Sequence, residues 1–179
     1  MRLFVAVDLS EDVRERIEKV LKVFKDFKGV KPVEKENLHI TLMFLGEVPD
    51  RRVEVVRESL KGIRFEPFKI RLKGLGNFNY RVFWVGVVEG NDYLSILAKE
   101  VENSLKRIGF KRDKDFVAHA TVARVKRLNP DDRTRLEKSL ESFKDFEFGE
   151  MVVDSFKLKK STLTPKGPIY EDLEVYEFK

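Results

Sequence analysis

Residues 37–48 read NLHITLMFLGEV, and residues 116–125 read FVAHATVARV. Both runs have the length and apolar content of a buried strand, and each carries a histidine followed two positions later by a threonine. These are the two histidines of the chain. Because side chains alternate along a strand, each histidine and its threonine point to the same face, roughly 7 Å apart. The repeated pair predicts one shared cleft that receives the side chains of His39, Thr41, His119 and Thr121.

The surroundings of the two motifs repeat as well. Phe4 precedes His39 by 35 residues, and Trp84 precedes His119 by the same number. In both halves of the chain a strand, a helix, the motif strand, a second helix and further strands follow in the same order. We interpret this as an internal duplication of β-α-β-α-β type. The predicted fold class is α+β, with two mostly antiparallel sheets facing a central cleft and helices outside.

The predicted elements follow from hydrophobic spacing and from capping residues. The strands are residues 3–7, 37–48, 68–74, 82–88, 116–125, 151–159 and 169–178, and the helices are residues 11–27, a helix from Pro49, residues 91–107 and a helix from Asn129. Together they form one two-lobed domain. Its approximate repeats are residues 1–80 and 81–179.

The composition is typical of a folded protein from a reducing compartment. The chain has 179 residues, 42% of them apolar, and no cysteine, which excludes disulfides, zinc-thiolate sites and cysteine nucleophiles. The longest apolar run near the start is far shorter than a signal peptide or membrane span, so we expect a soluble cytoplasmic protein without a membrane partner. A surface rich in Lys, Glu and Arg without glutamine is typical of hyperthermophiles.

The net charge of +5 favours an anionic partner such as nucleic acid or a phosphate ester. A mixed, solvated surface is the alternative, because the 36 basic residues face 31 acidic ones.

The two histidine-threonine pairs suit phosphoryl transfer without a metal or any other cofactor. A neutral imidazole can take a proton from water while an imidazolium gives one to the leaving oxygen, and a pKa near 6.5 lets both forms coexist. The threonine hydroxyls can donate to the phosphoryl oxygens. A single such pair is usually part of a core, but two matched copies favour a site. A zinc site is disfavoured, because catalytic zinc usually takes three protein ligands and neither motif contains an acidic residue.

The two motifs, His39-Ile40-Thr41-Leu42 and His119-Ala120-Thr121-Val122-Ala123-Arg124, resemble those of the two-histidine (2H) phosphoesterase superfamily, in particular the RNA 2′,3′-cyclic phosphodiesterases, also called 2′-5′ RNA ligases. The resemblance covers nearly the whole chain, including residues 2–6, 38–46 and 161–170. It implies hydrolysis of an RNA 2′,3′-cyclic phosphate end to a 2′-phosphate, and in some members 2′-5′ ligation. By position, His39 and His119 are then the acid-base pair, and Thr41, Thr121 and Arg124 bind the substrate phosphate.

Arg124 needs a local irregularity to take that role. Strict alternation places it on the opposite face from His119, so the strand must contain a bulge or a twist at its end. The alternative is a surface arginine in an ion pair.

Aromatic and basic side chains complete the predicted site. Tyr170 and Phe4 are candidates for stacking on a terminal base, as are Trp84 and Phe44, although most phenylalanines on strands belong to the core. A basic cluster is a candidate for guiding an RNA backbone, although charge runs usually form solvated faces. Its members are Lys157, Lys159, Lys160 and Lys166.

We expect a monomer that acts on RNA ending in a 2′,3′-cyclic phosphate, with tRNA halves among the candidate substrates. Two other functions stay open: a phosphodiesterase for a small cyclic nucleotide or a 2′-5′ oligonucleotide, and a non-catalytic module that binds RNA ends. Turnover of a cyclic mononucleotide that both histidine variants abolish excludes the binding module. A preference for oligonucleotides over mononucleotides separates the two enzymes.

Overall fold

The computed structural model describes residues 1–178. Within this part of the chain, nine strands and four helices form. The strands are β1 (Arg2–Asp8), β2 (Val30–Pro32), β3 (His39–Glu47), β4 (Phe68–Phe78), β5 (Val82–Glu89), β6 (His119–Val125), β7 (Glu147–Val153), β8 (Ser155–Thr164) and β9 (Gly167–Glu177). The helices are α1 (Glu11–Lys25), α2 (Val53–Leu60), α3 (Asn91–Lys106) and α4 (Pro130–Leu140). None of these helices is long and apolar enough to cross a membrane.

Side-chain caps set the start of two helices. The Ser10 hydroxyl accepts the N–H of Val13 at the start of α1, and the side chain of Asn129 accepts the N–H of Asp132 at the start of α4. Both caps satisfy N–H groups that lack a partner within the helix. Each helix then turns an apolar stripe inward.

The strands form two antiparallel sheets. The first has the order β3-β1-β8-β9, and the second has the order β2-β6-β5-β4-β7. Every strand pairing in both sheets is antiparallel. The helices cover the outer faces of the sheets, so the α+β class predicted from the sequence is confirmed.

The two sheets do not coincide with the two halves of the sequence. β8 and β9 belong to the second half but complete the first sheet, whereas β2 and β4 come from the first half and join the second sheet. The helices cross over too, because α1 packs on β2, β6 and β7 while α3 packs on β3. β3 and β6, which carry the two histidine motifs, lie against each other where the sheets meet.

The structure differs from the predicted elements at several places, and one of them is the unpredicted short strand β2 at Val30–Pro32. The predicted strand at residues 151–159 is divided at Asp154 into β7 and β8, so three strands rather than two close the chain. β4 does not end at Gly74, as predicted, but continues to Phe78. Gly74 has a φ of +80°, which lets the strand shift its register there and continue.

Candidate active site

A backbone carbonyl fixes the orientation of each histidine in the same way. Nδ1 of His39 lies 2.6 Å from the carbonyl oxygen of Asn37, and Nδ1 of His119 lies 2.6 Å from that of Val117. A carbonyl oxygen only accepts, so each Nδ1 carries the proton and donates it. In the neutral ring, Nε2 then keeps its lone pair and is the basic atom.

Nε2 of His39 accepts a hydrogen bond from the side chain of Thr41. The Thr41 hydroxyl lies 2.9 Å from this nitrogen and donates to it. His39 and Thr41 therefore share a face of β3, as the spacing of two residues predicts. Across the second sheet, His119 lies opposite Gly86 and Thr121 lies opposite Trp84.

A bulge in β6 returns Arg124 to the face that carries Thr121. Phe83 pairs with Ala123 and Trp84 pairs with Thr121, which leaves Val122 as an extra residue in the ladder. Val122 and Ala123 are both fully buried. The next side chain, that of Arg124, therefore points to the side of Thr121 and is exposed. The bulge that Arg124 needs in order to share a face with Thr121 is therefore present in β6.

β3 contains the same bulge. Val5 pairs with Met43 and Ala6 pairs with Thr41, so Leu42 is the extra residue, and both Leu42 and Met43 are buried. Phe44 consequently returns to the face of Thr41, where it is 65% exposed.

The bulge in β3 is supported from outside the sheet. Nη2 of Arg112 donates to the carbonyl oxygen of Leu42 over 2.9 Å and to that of Ala98 in α3 over 3.1 Å. The guanidinium also pairs with Glu102 at 3.1 Å. Arg112 thus ties the strand that carries His39 to the helix behind it.

Burial and nearby cations keep both imidazoles neutral. Burial is the main cause that lowers the pKa of His39 to about 4; the Asn37 carbonyl opposes this shift, and the charges of Lys159 and Arg124 add to it. The pKa of His119 is also lowered, again chiefly by burial and further by Arg124, against the opposing effect of the Val117 carbonyl. The charge of one guanidinium, that of Arg124, therefore lowers the pKa of both histidines.

Each histidine is enclosed by two aromatic rings. The ring of His39 lies 5.2 Å from that of Phe4 and 5.5 Å from that of Tyr170, which meets it edge-on at 81°. The ring of His119 lies 5.3 Å from that of Phe78, at 78°, and 6.4 Å from that of Trp84. These rings supply the apolar surroundings that disfavour the charged imidazolium.

The four predicted stacking candidates differ in what they offer a base. Phe4 is only 3% exposed and leaves no ring face free, so it forms the floor under His39 rather than a platform. Tyr170 and Trp84 are half-buried, and Phe44 stands open. The phenol of Tyr170 has a pKa raised by burial, although the positive charges of Arg124 and Arg2 oppose the shift.

The turn between β8 and β9 reaches from the first sheet towards the second. The side-chain amide of Asn37 donates to the carbonyl oxygen of Pro168 over 3.4 Å. A Cβ atom on Gly167 would lie 3.2 Å from Nζ of Lys31, a residue of β2 in the second sheet. This turn closes the end of the cleft beside His39 and holds Tyr170 there.

Two members of the predicted basic cluster are engaged in ion pairs. Nζ of Lys157 lies 2.7 Å from Asp8 and 2.9 Å from Asp172, and Nζ of Lys159 lies 2.9 Å and 2.8 Å from the same carboxylates. Burial alone would raise the pKa of Asp8, but hydrogen bonds from the two lysines outweigh it and hold the pKa below its usual value. Lys157 and Lys159 are therefore paired with carboxylates beside His39, and their role in guiding an RNA backbone stays a prediction.

Sequence reasoning missed three contributors to the site. Phe78 lies beyond the predicted end of β4, Arg112 lies in a loop, and Asp172 lies in a strand without a recognisable motif. None carried a signal in its own neighbourhood, because each becomes part of the site only through tertiary packing. Within residues 1–178 we find no group of three or more His, Cys, Asp or Glu side chains arranged to hold a metal ion.

Matched histidine-threonine motifs on two contacting strands, one in each sheet, are typical of a phosphoesterase. The chain belongs to the family described as LigT like phosphoesterase, whose model matches it twice, at residues 7–84 and 85–170. The double match agrees with the internal duplication.

Several relatives are similar over almost the full length. The chain is 50% identical to the RNA 2′,3′-cyclic phosphodiesterase of Archaeoglobus fulgidus, covering 99% of this chain and 100% of the relative. It is 44% identical to the protein of the same name from Methanocaldococcus jannaschii, covering 96% and 97%. Among solved structures, a protein from Thermus thermophilus has a TM-score of 0.81 at 32% identity, covering 99% and 98% of the two chains. The E. coli LigT complexed with 3′-AMP has a TM-score of 0.79 at 27% identity, covering 99% and 97%.

Proposed function

We propose that this protein hydrolyses the 2′,3′-cyclic phosphate at RNA ends and leaves a 2′-phosphate. The observation that carries the proposal is the matched setting of His39 and His119, with each Nδ1 held by a carbonyl and each Nε2 left as the basic atom. The charge of Arg124 lowers the pKa of both. The names of the curated relatives support the same reaction and the same class of substrate.

The two imidazoles divide the proton transfers between them. One Nε2 takes a proton from water as the water oxygen bonds to phosphorus, and the other imidazole, protonated, gives its proton to O3′ as the bond from phosphorus to O3′ breaks. The cyclic diester becomes a 2′-phosphate and a 3′-hydroxyl. Exchange with solvent then restores the starting protonation of the pair.

The bound phosphate supplies the charge that the free site lacks. Both histidines are neutral in the free protein near pH 7, because burial and Arg124 lower their pKa values. An anion between the rings favours an imidazolium and so prepares one of them as an acid. Arg124 and the hydroxyls of Thr41 and Thr121 are then the donors to the non-bridging oxygens.

The substrate class follows from this chemistry. A 2′,3′-cyclic phosphate needs the ribose 2′-oxygen, so the substrate is a ribonucleotide, and the names of the relatives support an RNA end. Tyr170 and the exposed ring of Phe44 flank the His39 side of the cleft and suit a terminal base. We further take the protein to act as a monomer in the cytoplasm, on ends such as those of tRNA halves.

The test is turnover of an oligoribonucleotide that ends in a 2′,3′-cyclic phosphate, assayed in the presence of a chelator. We expect phosphorus NMR to show a 2′-phosphate product, and we expect the signal to disappear in His39→Ala and His119→Ala. Arg127→Ala is the matched control, because this exposed arginine follows β6 outside the site. A 3′-phosphate product, or no turnover by the unmodified protein, would contradict the proposal.

A further inference from the structure

A groove lies beside His119, and the proposed hydrolysis of a terminal cyclic phosphate requires no contact with it. It has a volume of about 750 Å³ and opens next to Trp84 and to the segment that holds His119. Its walls include Lys73, Trp84, Asn91, Phe116, Val117 and Lys144. The carbonyl of Val117, which orients the His119 ring, thus belongs to a residue of its wall, so the groove adjoins the segment that holds His119.

The floor of this groove is an indole that lies flat on the sheet. Gly76 faces Trp84 across the β4–β5 ladder, and a Cβ atom on Gly76 would lie only 2.3 to 2.8 Å from the indole carbons. A Cβ atom on Gly86 would lie 3.4 Å from the same ring. The ring can therefore rest on the backbone only because glycine occupies position 76. The ring of Phe78 lies 5.5 Å from the indole, and the half-buried indole borders the groove.

The hydrogen-bonding state of Trp84 argues against a purely structural role. Its Nε1–H is buried, and within residues 1–178 no acceptor takes this hydrogen. A buried donor without a partner lowers stability, whereas a phenylalanine or leucine would fill the space without one. An indole is, however, a good surface for a nucleobase to stack on.

We infer that this groove binds the base of the nucleotide that precedes the cyclic end, so that the site holds two nucleotides. The inference rests on the proposed function and names a second subsite for it. The terminal base lies on the side of His39, against Tyr170 and Phe44, and the preceding base lies on the side of His119, against Trp84. Lys73 lies along the groove and suits the phosphodiester that joins the two nucleotides, whereas Lys144 is paired with Glu141 at 3.2 Å and Asp145 adds a carboxylate to the lining.

The chain contains a single tryptophan, so its fluorescence reports on this groove alone. We would titrate the unmodified protein with a dinucleotide that ends in a 2′-phosphate, with the corresponding mononucleotide and with inorganic phosphate. The dinucleotide should quench the emission and bind about 5- to 100-fold more tightly than the mononucleotide, the range set by one stacked base. A dinucleotide with an abasic first residue should behave like the mononucleotide.

Three results would overturn the inference. Equal quenching by mononucleotide and dinucleotide would place the terminal nucleotide on Trp84. Quenching by the abasic dinucleotide as strong as that of the intact one would assign the effect to charge. If no nucleotide quenched the emission, no base would bind against Trp84 in the groove.

Kinetics give a second, independent measurement. In Trp84→Leu, the kcat/KM for a dinucleotide 2′,3′-cyclic phosphate should fall about 5- to 100-fold more than the kcat/KM for the cyclic mononucleotide. Phe44→Ala is the matched variant, and it should lower both values by a similar factor. An equal loss on both substrates in Trp84→Leu would contradict the subsite. If no cyclic phosphate is hydrolysed but the dinucleotide still quenches selectively, the second subsite stands and the proposed reaction fails.

Discussion

Phe44 occupies in the first half of the cleft the position that Arg124 occupies in the second. Each lies five residues after its histidine, and each is returned to the cleft face by a bulge that buries two consecutive apolar residues. The duplicated backbone therefore presents an aromatic ring on one side and a guanidinium on the other. This difference makes the two sides unequal, because the side of His39 adds an exposed ring and the side of His119 adds a guanidinium for the phosphate.

Replacing Arg124 by Ala should raise the pKa of both histidines, because its positive charge lowers both in the native protein. With only two histidines in the chain, a proton NMR titration of the imidazole signals measures both directly. The same variant should lose roughly 10- to 100-fold in kcat/KM, the scale of a lost hydrogen bond to a charged group at about 1.5–3 kcal/mol. Arg127→Ala should change neither quantity. A pKa change confined to one histidine would mean that Arg124 does not lie between them.

Thr41→Val and Thr121→Val should each lower kcat by roughly 10- to 100-fold through the loss of a donor to the phosphoryl oxygens. Valine fits a strand, so the fold should persist, and circular dichroism checks this. Thr41→Ser keeps the hydroxyl that donates to His39 and is the matched control, expected to retain most of the activity. Full activity in both valine variants would remove the threonines from the site.

The polar core of the site was predictable because its signal is local. A spacing of two between a histidine and a threonine on a strand is enough to place both on one face, and the second copy argues against coincidence. The bulges also left a local trace. Leu42-Met43 and Val122-Ala123 are pairs of apolar neighbours at places where alternation allows one. That break in pattern is what brings Arg124 and Phe44 to the cleft.

The exchange of strands between the sheets was not predictable in the same way. A period of two shows which face of β4 or β8 is buried but not which strand lies beside it. The pairing of Lys157 and Lys159 with Asp8 and Asp172 depends on this exchange, since it joins β1, β8 and β9. Distant contacts of this kind decided which basic residues were free, and the sequence pattern does not contain them.

The buried, neutral His39 should make stability depend on pH. Its pKa is near 6.5 in an unfolded chain and about 4 in the folded protein. Between these values the unfolded chain binds more protons, so stability is fully present above pH 6.5 and is lost as the pH falls towards 4. At pH 5 the loss from this one group is about 2 kcal/mol.

Urea unfolding at pH 7 and pH 5 measures this effect, and His39→Gln, which cannot be protonated, is the comparison. The unmodified protein should lose more stability than the variant between the two pH values. The carboxylates of Asp8 and Asp172 titrate lower, because their pKa values lie below the usual 3.8, so they do not contribute in this range. An equal loss in both proteins would mean that His39 is not held neutral by the fold.

The His39 and His119 variants should differ in activity when the leaving group of the substrate is changed. Replacing either one by Ala should lower kcat by about 10²- to 10⁴-fold on a ribose cyclic phosphate, and the double variant should lose much less than the product because the pair acts as a unit.

A general acid matters in proportion to how poor the leaving group is, so a p-nitrophenyl phosphodiester needs little protonation. The variant that regains activity on this substrate therefore lacks the acid, and the variant that stays impaired on both substrates lacks the base. A backbone carbonyl accepts from Nδ1 of each histidine, so both neutral rings have the same tautomer. The tautomer therefore does not show which histidine is the acid. If both variants regained activity equally, or neither did, the division into one acid and one base would be wrong. The imidazoles would then act together on the charge of the phosphoryl group.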